Sequence, residues 1–232
     1  MNGLLIISGA FGLFDKEIVI KAGGYDTGTV GEDMELVVRM RKYMHKIKEK
    51  YGVYYVPDPL CWTEAPSGLG VLSRQRNRWA RGTAETLYKH KNVFLNPRYG
   101  LMGLVSYPYW LFFEYLAPYI EIIGIMYFTS LLIWGSINLT YFLALLAGVY
   151  AFAVFISVVA LIAEEFSYHR YSQRSDTIKL MLTALIEPIL YHPIILLFVL
   201  KGYLDLLFGK KSWGKMKRTG FRKKQVQEKM AA

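Results

Sequence analysis

Apolar and polar positions change rhythm near residue 100, with short mixed segments before it and long greasy runs after it. Leu4 to Ile7 is a brief apolar run stopped by Ser8-Gly9-Ala10-Phe11-Gly12, which predicts a core strand entering a tight loop. Small residues in that loop let another group approach the backbone. Asp15 to Ala22 predicts two helical turns, capped by Asp15 and ended by Gly23-Gly24. After a Gly- and Thr-rich loop from Tyr25 to Gly31, a helix starts at Glu32. There Leu36, Val37, Met40 and Met44 recur at helical spacing, acids open the segment and bases close it. Val53 to Val56 reads as a strand closed by Pro57-Asp58-Pro59, and Cys61 to Glu64 as another short one. A long helix is expected from about Leu69 to Tyr88. Strand, helix, strand, helix in 90 residues predicts α/β layering, too little for a complete doubly wound domain.

Beyond Pro97 the rhythm is that of a bilayer. Leu101 to Phe113 is aromatic-rich and broken by Pro108, which suits a helix in the membrane interface. Tyr115 to Trp134 is long enough to cross a membrane, and Leu139 to Ala163 is an uncharged run of 25 residues. Ile178 to Phe208 is apolar but interrupted by Glu187-Pro188 and His192-Pro193. With residues 1–98 and the tail on one side of the membrane, crossings must be even in number. That makes 178–208 interfacial or re-entrant; a kinked third span is the rival reading. The expected divisions are thus 1–98, an interfacial helix at 99–114, a transmembrane and interfacial region at 115–208, and a basic tail at 209–232.

Composition sharpens this division. No Lys or Arg lies between Leu101 and Ala163, where Glu114 and Glu121 are the only carboxylates. Of the net charge of +10, the tail carries a large part, since ten Lys and Arg fall between Lys201 and Lys229. A basic tail beside apolar segments marks the cytoplasmic side of a membrane and contact with its lipids rather than nucleic acid. The single Cys61 rules out an internal disulfide framework and a thiolate metal site. Met1 to Ile7 has no basic n-region and too short an apolar run for a signal peptide, so the chain is expected to begin inside a larger protein.

Two clusters could carry chemistry. Gly31-Glu32-Asp33 stands where a Gly-rich loop enters a helix, and amides at a helix N-terminus favour an ionised carboxylate, which can act as a general base. Simple capping by acids explains the same triplet. Gln75, Arg78 and Trp79 stand at i, i+3 and i+4, so an amide, a guanidinium and an indole share one helix face. That set suits a sugar ring and a phosphate, and it equally fits a basic amphipathic helix on a membrane surface. Glu64 lies among aromatics in Trp62-Thr63-Glu64-Ala65-Pro66, just before this helix. The intramembrane Glu114 and Glu121 either face a polar path through the membrane or sit at the headgroup boundary. The four histidines show no metal-ligand spacing.

In order, Ser8-Gly9-Ala10-Phe11-Gly12, Gly23-Gly24-Tyr25, Gly31-Glu32-Asp33, Thr63-Glu64-Ala65-Pro66 and Gln75-Arg76-Asn77-Arg78-Trp79 resemble membrane-bound family 2 glycosyltransferases. That family includes the cellulose, chitin, hyaluronan and poly-N-acetylglucosamine synthases. The stretch from Gly209 to Phe221 also resembles bacterial poly-N-acetylglucosamine synthases. The resemblance implies part of a GT-A-type α/β domain followed by an α-helical transmembrane region in the cell's inner membrane, with residues 1–98 and the tail cytoplasmic. It implies Asp33 as the base that takes the acceptor proton, with Glu32 beside it. Gln75, Arg78 and Trp79 would border the acceptor site, Arg78 near the diphosphate and Trp79 beneath the sugar. Ser8, Gly9 and Glu64 would be further substrate contacts. The implied reaction is inverting transfer from a nucleotide sugar, UDP-N-acetylglucosamine or UDP-glucose, to a polysaccharide or lipid-linked acceptor, assisted by Mg2+ or Mn2+.

One departure from that family matters. Its nucleotide and metal are held by an N-terminal half with a D-x-D motif, and the six aspartates of this chain form no such pair. The chain is therefore expected to be the acceptor-side part of an enzyme, inactive alone, with a separate donor-binding chain as partner if the enzyme is split. Two other functions compete: a non-processive transferase acting on a lipid carrier, and a catalytically silent membrane subunit or translocation scaffold.

Overall fold

The computed structural model describes residues 7, 12–54, 56, 63–168 and 173–210. They fall into two compact units, one of residues up to Leu116 together with those from Phe198, the other spanning Ala117–Leu197.

In the first unit, helix α1 (Lys16–Lys21) is capped by Asp15, whose Oδ1 accepts the Ile18 N–H at 3.0 Å. The chain then turns through Gly23 and Gly24 at φ of 99° and 69°, left-handed angles that favour glycine. Helix α2 (Glu32–Ile47) carries Glu32, Asp33 and Glu35 in its first turn, His45 and Lys46 in its last, and stops at Lys48 in the left-handed region. Helix α3 (Leu69–Lys89) follows. Val38, Leu87, Val93, Met102 and Tyr107 form the apolar core, with Phe94, Tyr99, Trp110, Leu111 and Tyr115 packed against it. These three helices start and stop close to where the residue pattern predicts.

The strands are another matter. Leu4 to Ile6 and Cys61-Trp62 lie outside the described residues. Val53, Tyr54, Val56, Thr63 and Glu64 are described, and none is in a strand. A strand is defined by a ladder to a neighbour, and β-branched residues alone do not make one. No ladder forms among the described residues, so they display the helical layer only, not the α/β layering expected.

The break expected at Pro108 does not occur. Helical structure runs from Met102 to Ile133 through two π-helical stretches, Met102–Ser106 and Trp110–Tyr115, on either side of α4 (Tyr107–Tyr109), and on into α5 (Ala117–Ile133). In the wider register the Leu116 N–H reaches the Leu111 carbonyl at 2.9 Å. Pro118 has no N–H to return to the Glu114 carbonyl one turn back. The Tyr203 hydroxyl donates there instead, at 3.4 Å to the Glu114 carbonyl and 3.1 Å to that of Tyr115.

The second unit is built from α5, α6 (Leu139–Tyr168) and the larger part of α7 (Arg174–Leu207). Phe128 packs on Phe142 with ring centroids 5.3 Å apart, and the Tyr150 hydroxyl donates to the Leu185 carbonyl at 3.0 Å. Glu121 and His192 pair at 2.9 Å. Helix α7 passes through Pro188 and Pro193 without interruption. By length and composition, three helical runs among the described residues could cross a membrane: Met102–Ile133, Leu139–Ser167 and Arg174–Leu207. Their surfaces are lined with exposed large apolar residues such as Ile123, Phe152 and Ile189, as a lipid environment requires.

Candidate active site

The site begins with two glycines. A Cβ added to Gly31 would stand 2.6 Å from the Gly82 Cα, so the start of α2 lies directly on α3 with no room for a side chain. Glu85 of α3 holds the approach to α2: its Oε2 accepts from the Thr29 hydroxyl at 2.6 Å and from the Val30 N–H at 3.0 Å. Asp33 follows in the first turn, and its Oδ1 accepts the Met34 N–H at 2.8 Å.

Two residues past Asp33, on another face of α2, Glu35 is fully buried. Arg39 donates to it through Nε and Nη2, with Nη2 at 2.8 Å. Lys89 of α3 pairs with it at 2.8 Å and His90 at 3.2 Å. The Lys42 ammonium lies 3.1 Å from Nδ1 of His90; an ammonium only donates, so Nδ1 accepts and Nε2–H points at Glu35. Burial pushes Glu35 toward its neutral form, but the hydrogen bonds from His90, Arg39 and Lys89 outweigh it and hold the carboxyl well below the usual range. Burial lowers His90, which is neutral in this arrangement. Arg39 also donates to the Ala22 and Gly24 carbonyls at 2.6 and 2.5 Å, and Lys89 pairs with Asp26. One buried acid thus ties α2, the end of α3 and the preceding loop together.

On its other side α3 meets the end of α7. A Cβ on Gly202 would be 2.7 Å from the Asn77 carbonyl oxygen. The Asn77 amide donates to Asp205 at 2.8 Å, Arg81 donates to Asn77 at 3.0 Å and to the Lys210 carbonyl at 2.6 Å.

Between these contacts lies a cavity of about 450 Å³. Glu32 and Asp33 border it from α2, and Arg76, Arg78, Trp79 and Thr83 from α3. Trp110 and Glu114 come from the second π-helical stretch, Val199 and Tyr203 from α7. Trp79 is 48% exposed, and the Arg76 guanidinium stacks over its ring at 4.8 Å. Three carboxylates, two guanidinia and two indoles around one hollow can hold a polar ring by hydrogen bonds and by its apolar face.

Of the residues singled out from the sequence, Glu32, Asp33, Arg78 and Trp79 meet at this cavity. Gln75 and Glu64 are not among its lining, and Glu64 is exposed. Ser8 and Gly9 lie outside the described residues. Arg76, Trp110 and Tyr203 were not singled out. Arg76 stands three residues before Trp79, the same helical spacing that favoured Gln75 with Arg78, whereas nothing local in the sequence links Trp110 or Tyr203 to α3. Among the described residues no group of three or more His, Cys, Asp or Glu side chains could hold a metal ion.

A helical layer bearing an acid–indole cavity, in a chain that also has helices long and apolar enough to cross a membrane, fits a membrane-bound transferase. Residues 1–166, well over half of the chain, match the family described as "Glycosyl transferase family group 2", and the chain belongs to that family. It is similar to the poly-beta-1,6-N-acetyl-D-glucosamine synthase of Staphylococcus aureus (strain COL), 37% identical over 83 residues that make up 36% of this chain and 19% of that protein. The enzyme of the same name from Staphylococcus epidermidis (strain ATCC 35984) is 36% identical over 83 residues, with the same coverage. The matched stretch is thus about a fifth of the length of these relatives. No solved structure gives a significant match.

Proposed function

We propose that the cavity is the acceptor side of a membrane glycosyltransferase that extends a polysaccharide. The Asp33 carboxylate takes the proton from an acceptor hydroxyl as that oxygen attacks the anomeric carbon of a nucleotide-activated hexose. The bond from that carbon to the diphosphate breaks on the opposite face, and the nucleoside diphosphate leaves with the electron pair, inverting the centre. Trp79 offers an apolar plate to the acceptor ring, and Arg78 a fixed cation to the diphosphate. The observation that carries this reading is the shared cavity of Asp33 and Trp79, which stand far apart in the chain. Similarity to the staphylococcal synthases supports UDP-N-acetylglucosamine over UDP-glucose as donor. The order of motifs supports a GT-A-type domain whose donor-binding part, with its divalent ion, lies outside these 232 residues; without that part the chain makes no product. The unit bearing the cavity is assigned to the cytoplasmic face of the inner membrane.

The test joins the chain to, or co-expresses it with, a D-x-D-bearing donor half and follows labelled sugar from UDP-N-acetylglucosamine into polymer. Wild type incorporates label; Asp33→Asn loses on the order of 10²-fold or more while still binding donor. Product from Asp33→Asn at close to the wild-type rate would overturn the base assignment. Failure of any donor half to restore synthesis favours a silent membrane subunit.

A further inference from the structure

Resting on the reading of this cavity as an acceptor site, we propose that Trp110 and Glu114 form a second sugar-recognition element. Trp110 packs on a pyranose residue of the acceptor, and the Glu114 carboxylate accepts hydrogen bonds from its hydroxyl or acetamido N–H groups.

The two residues are four apart on the π-helical stretch Trp110–Tyr115, and both border the cavity. A π-helical turn is less stable than an α-helical one and recurs at functional sites, because it re-aims side chains that a regular helix would point elsewhere. Here it is held in place: the Tyr203 hydroxyl bonds the carbonyls of Glu114 and Tyr115, and the Tyr203 ring meets that of Tyr115 edge-on at 5.2 Å.

The carboxylates in the cavity are treated differently. Asp33 takes a backbone N–H from Met34 at the start of α2, whereas Glu114 borders the cavity from the second π-helical stretch, as Trp110 does. Much of the surrounding wall is apolar, from Val30, Met34, Ala80 and Val199. An acceptor-only group opening onto such a wall, beside an indole, matches a ligand with several O–H and N–H donors around an apolar ring face. An anionic ligand is disfavoured at this position, since Glu114 would repel it. The class indicated is a neutral pyranose such as a β-linked N-acetylglucosamine residue. The rival role for Glu114 is charge balance for Arg76 in the same cavity.

The test titrates the detergent-solubilised 232-residue chain with a β-1,6-linked N-acetylglucosamine tetrasaccharide in a calorimeter. Wild type is expected to saturate, Glu114→Gln and Trp110→Ala to bind at least tenfold more weakly, and Glu114→Asp to fall between. Unchanged affinity in Glu114→Gln and Trp110→Ala, with affinity lost in Trp79→Ala, overturns this proposal and leaves the acceptor site standing. Absence of binding by wild type overturns both. A lowered unfolding temperature in Glu114→Gln with affinity intact would assign Glu114 to charge balance with Arg76 and refute the sugar contact.

Discussion

Gly31 and Gly82 meet backbone to backbone, and this contact sets the distance between the acid-bearing start of α2 and the indole-bearing face of α3. Gly31 has an ordinary negative φ of −112°, so what it supplies is space, not backbone freedom. Gly82→Ala is expected to force the helices apart, at a cost of about 1–3 kcal/mol for overpacking. Because the contact adjoins Asp33, transfer by the complete enzyme should fall on the order of 10²-fold. Thermal unfolding and polymer synthesis measure the two effects, and a variant normal in both would show that the contact yields without consequence.

Glu35 gives the fold an acid-sensitive joint. Its carboxyl titrates below the unfolded-state value of about 4.3, so its contribution to stability is complete above that pH and is lost as the pH falls toward the folded value. Burial lowers His90 as well, so protonation of the unfolded chain below roughly pH 6.5 withdraws stability in the same direction. The unfolding temperature should therefore drop between pH 7 and pH 4. Glu35→Gln at pH 7 should cost about 3–5 kcal/mol, the penalty for stripping one partner from a buried ionic cluster, and should flatten the profile below pH 5. A profile as steep in Glu35→Gln as in wild type would mean that other groups control the acid response.

Asn77 and Asp205 join α3 to the end of α7 through one hydrogen bond of 2.8 Å. Asn77→Ala and Asp205→Ala, singly and together, should show a coupling of about 0.5–3 kcal/mol in unfolding experiments. Strict additivity would place the end of α7 away from α3.

Trp79→Ala in the complete enzyme should release the acceptor early and shorten the polymer, while Trp79→Phe keeps much of the plate and most of the length. Sizing the products by gel filtration reads this directly. Polymer of unchanged length from Trp79→Ala would remove the platform role.

The residue pattern is a good guide wherever structure is local. Asp15, Gly23, Glu32 and Lys89 bound helices close to the expected positions because caps and charges at helix ends act within a turn or two. It is a poor guide where a partner decides. Pro108 reads as a break because the sequence cannot reveal that a π-helical register will carry the helix past it. The run with Pro188 and Pro193 reads as interrupted, yet α7 continues through both prolines. At the cavity, Asp33, Arg78 and Trp79 are legible from their motifs, while Tyr203 is not, since its place depends on Gly202 seating α7 against Asn77.

The cavity is completed by Val199 and Tyr203, near the end of α7, the last in chain order of the three described runs able to cross a membrane. Without that end of α7, Asp33 and Trp79 would border a hollow open on one side. Closure of the hollow is thereby tied to the last turns of α7, more than a hundred residues after the acid and the indole in the chain.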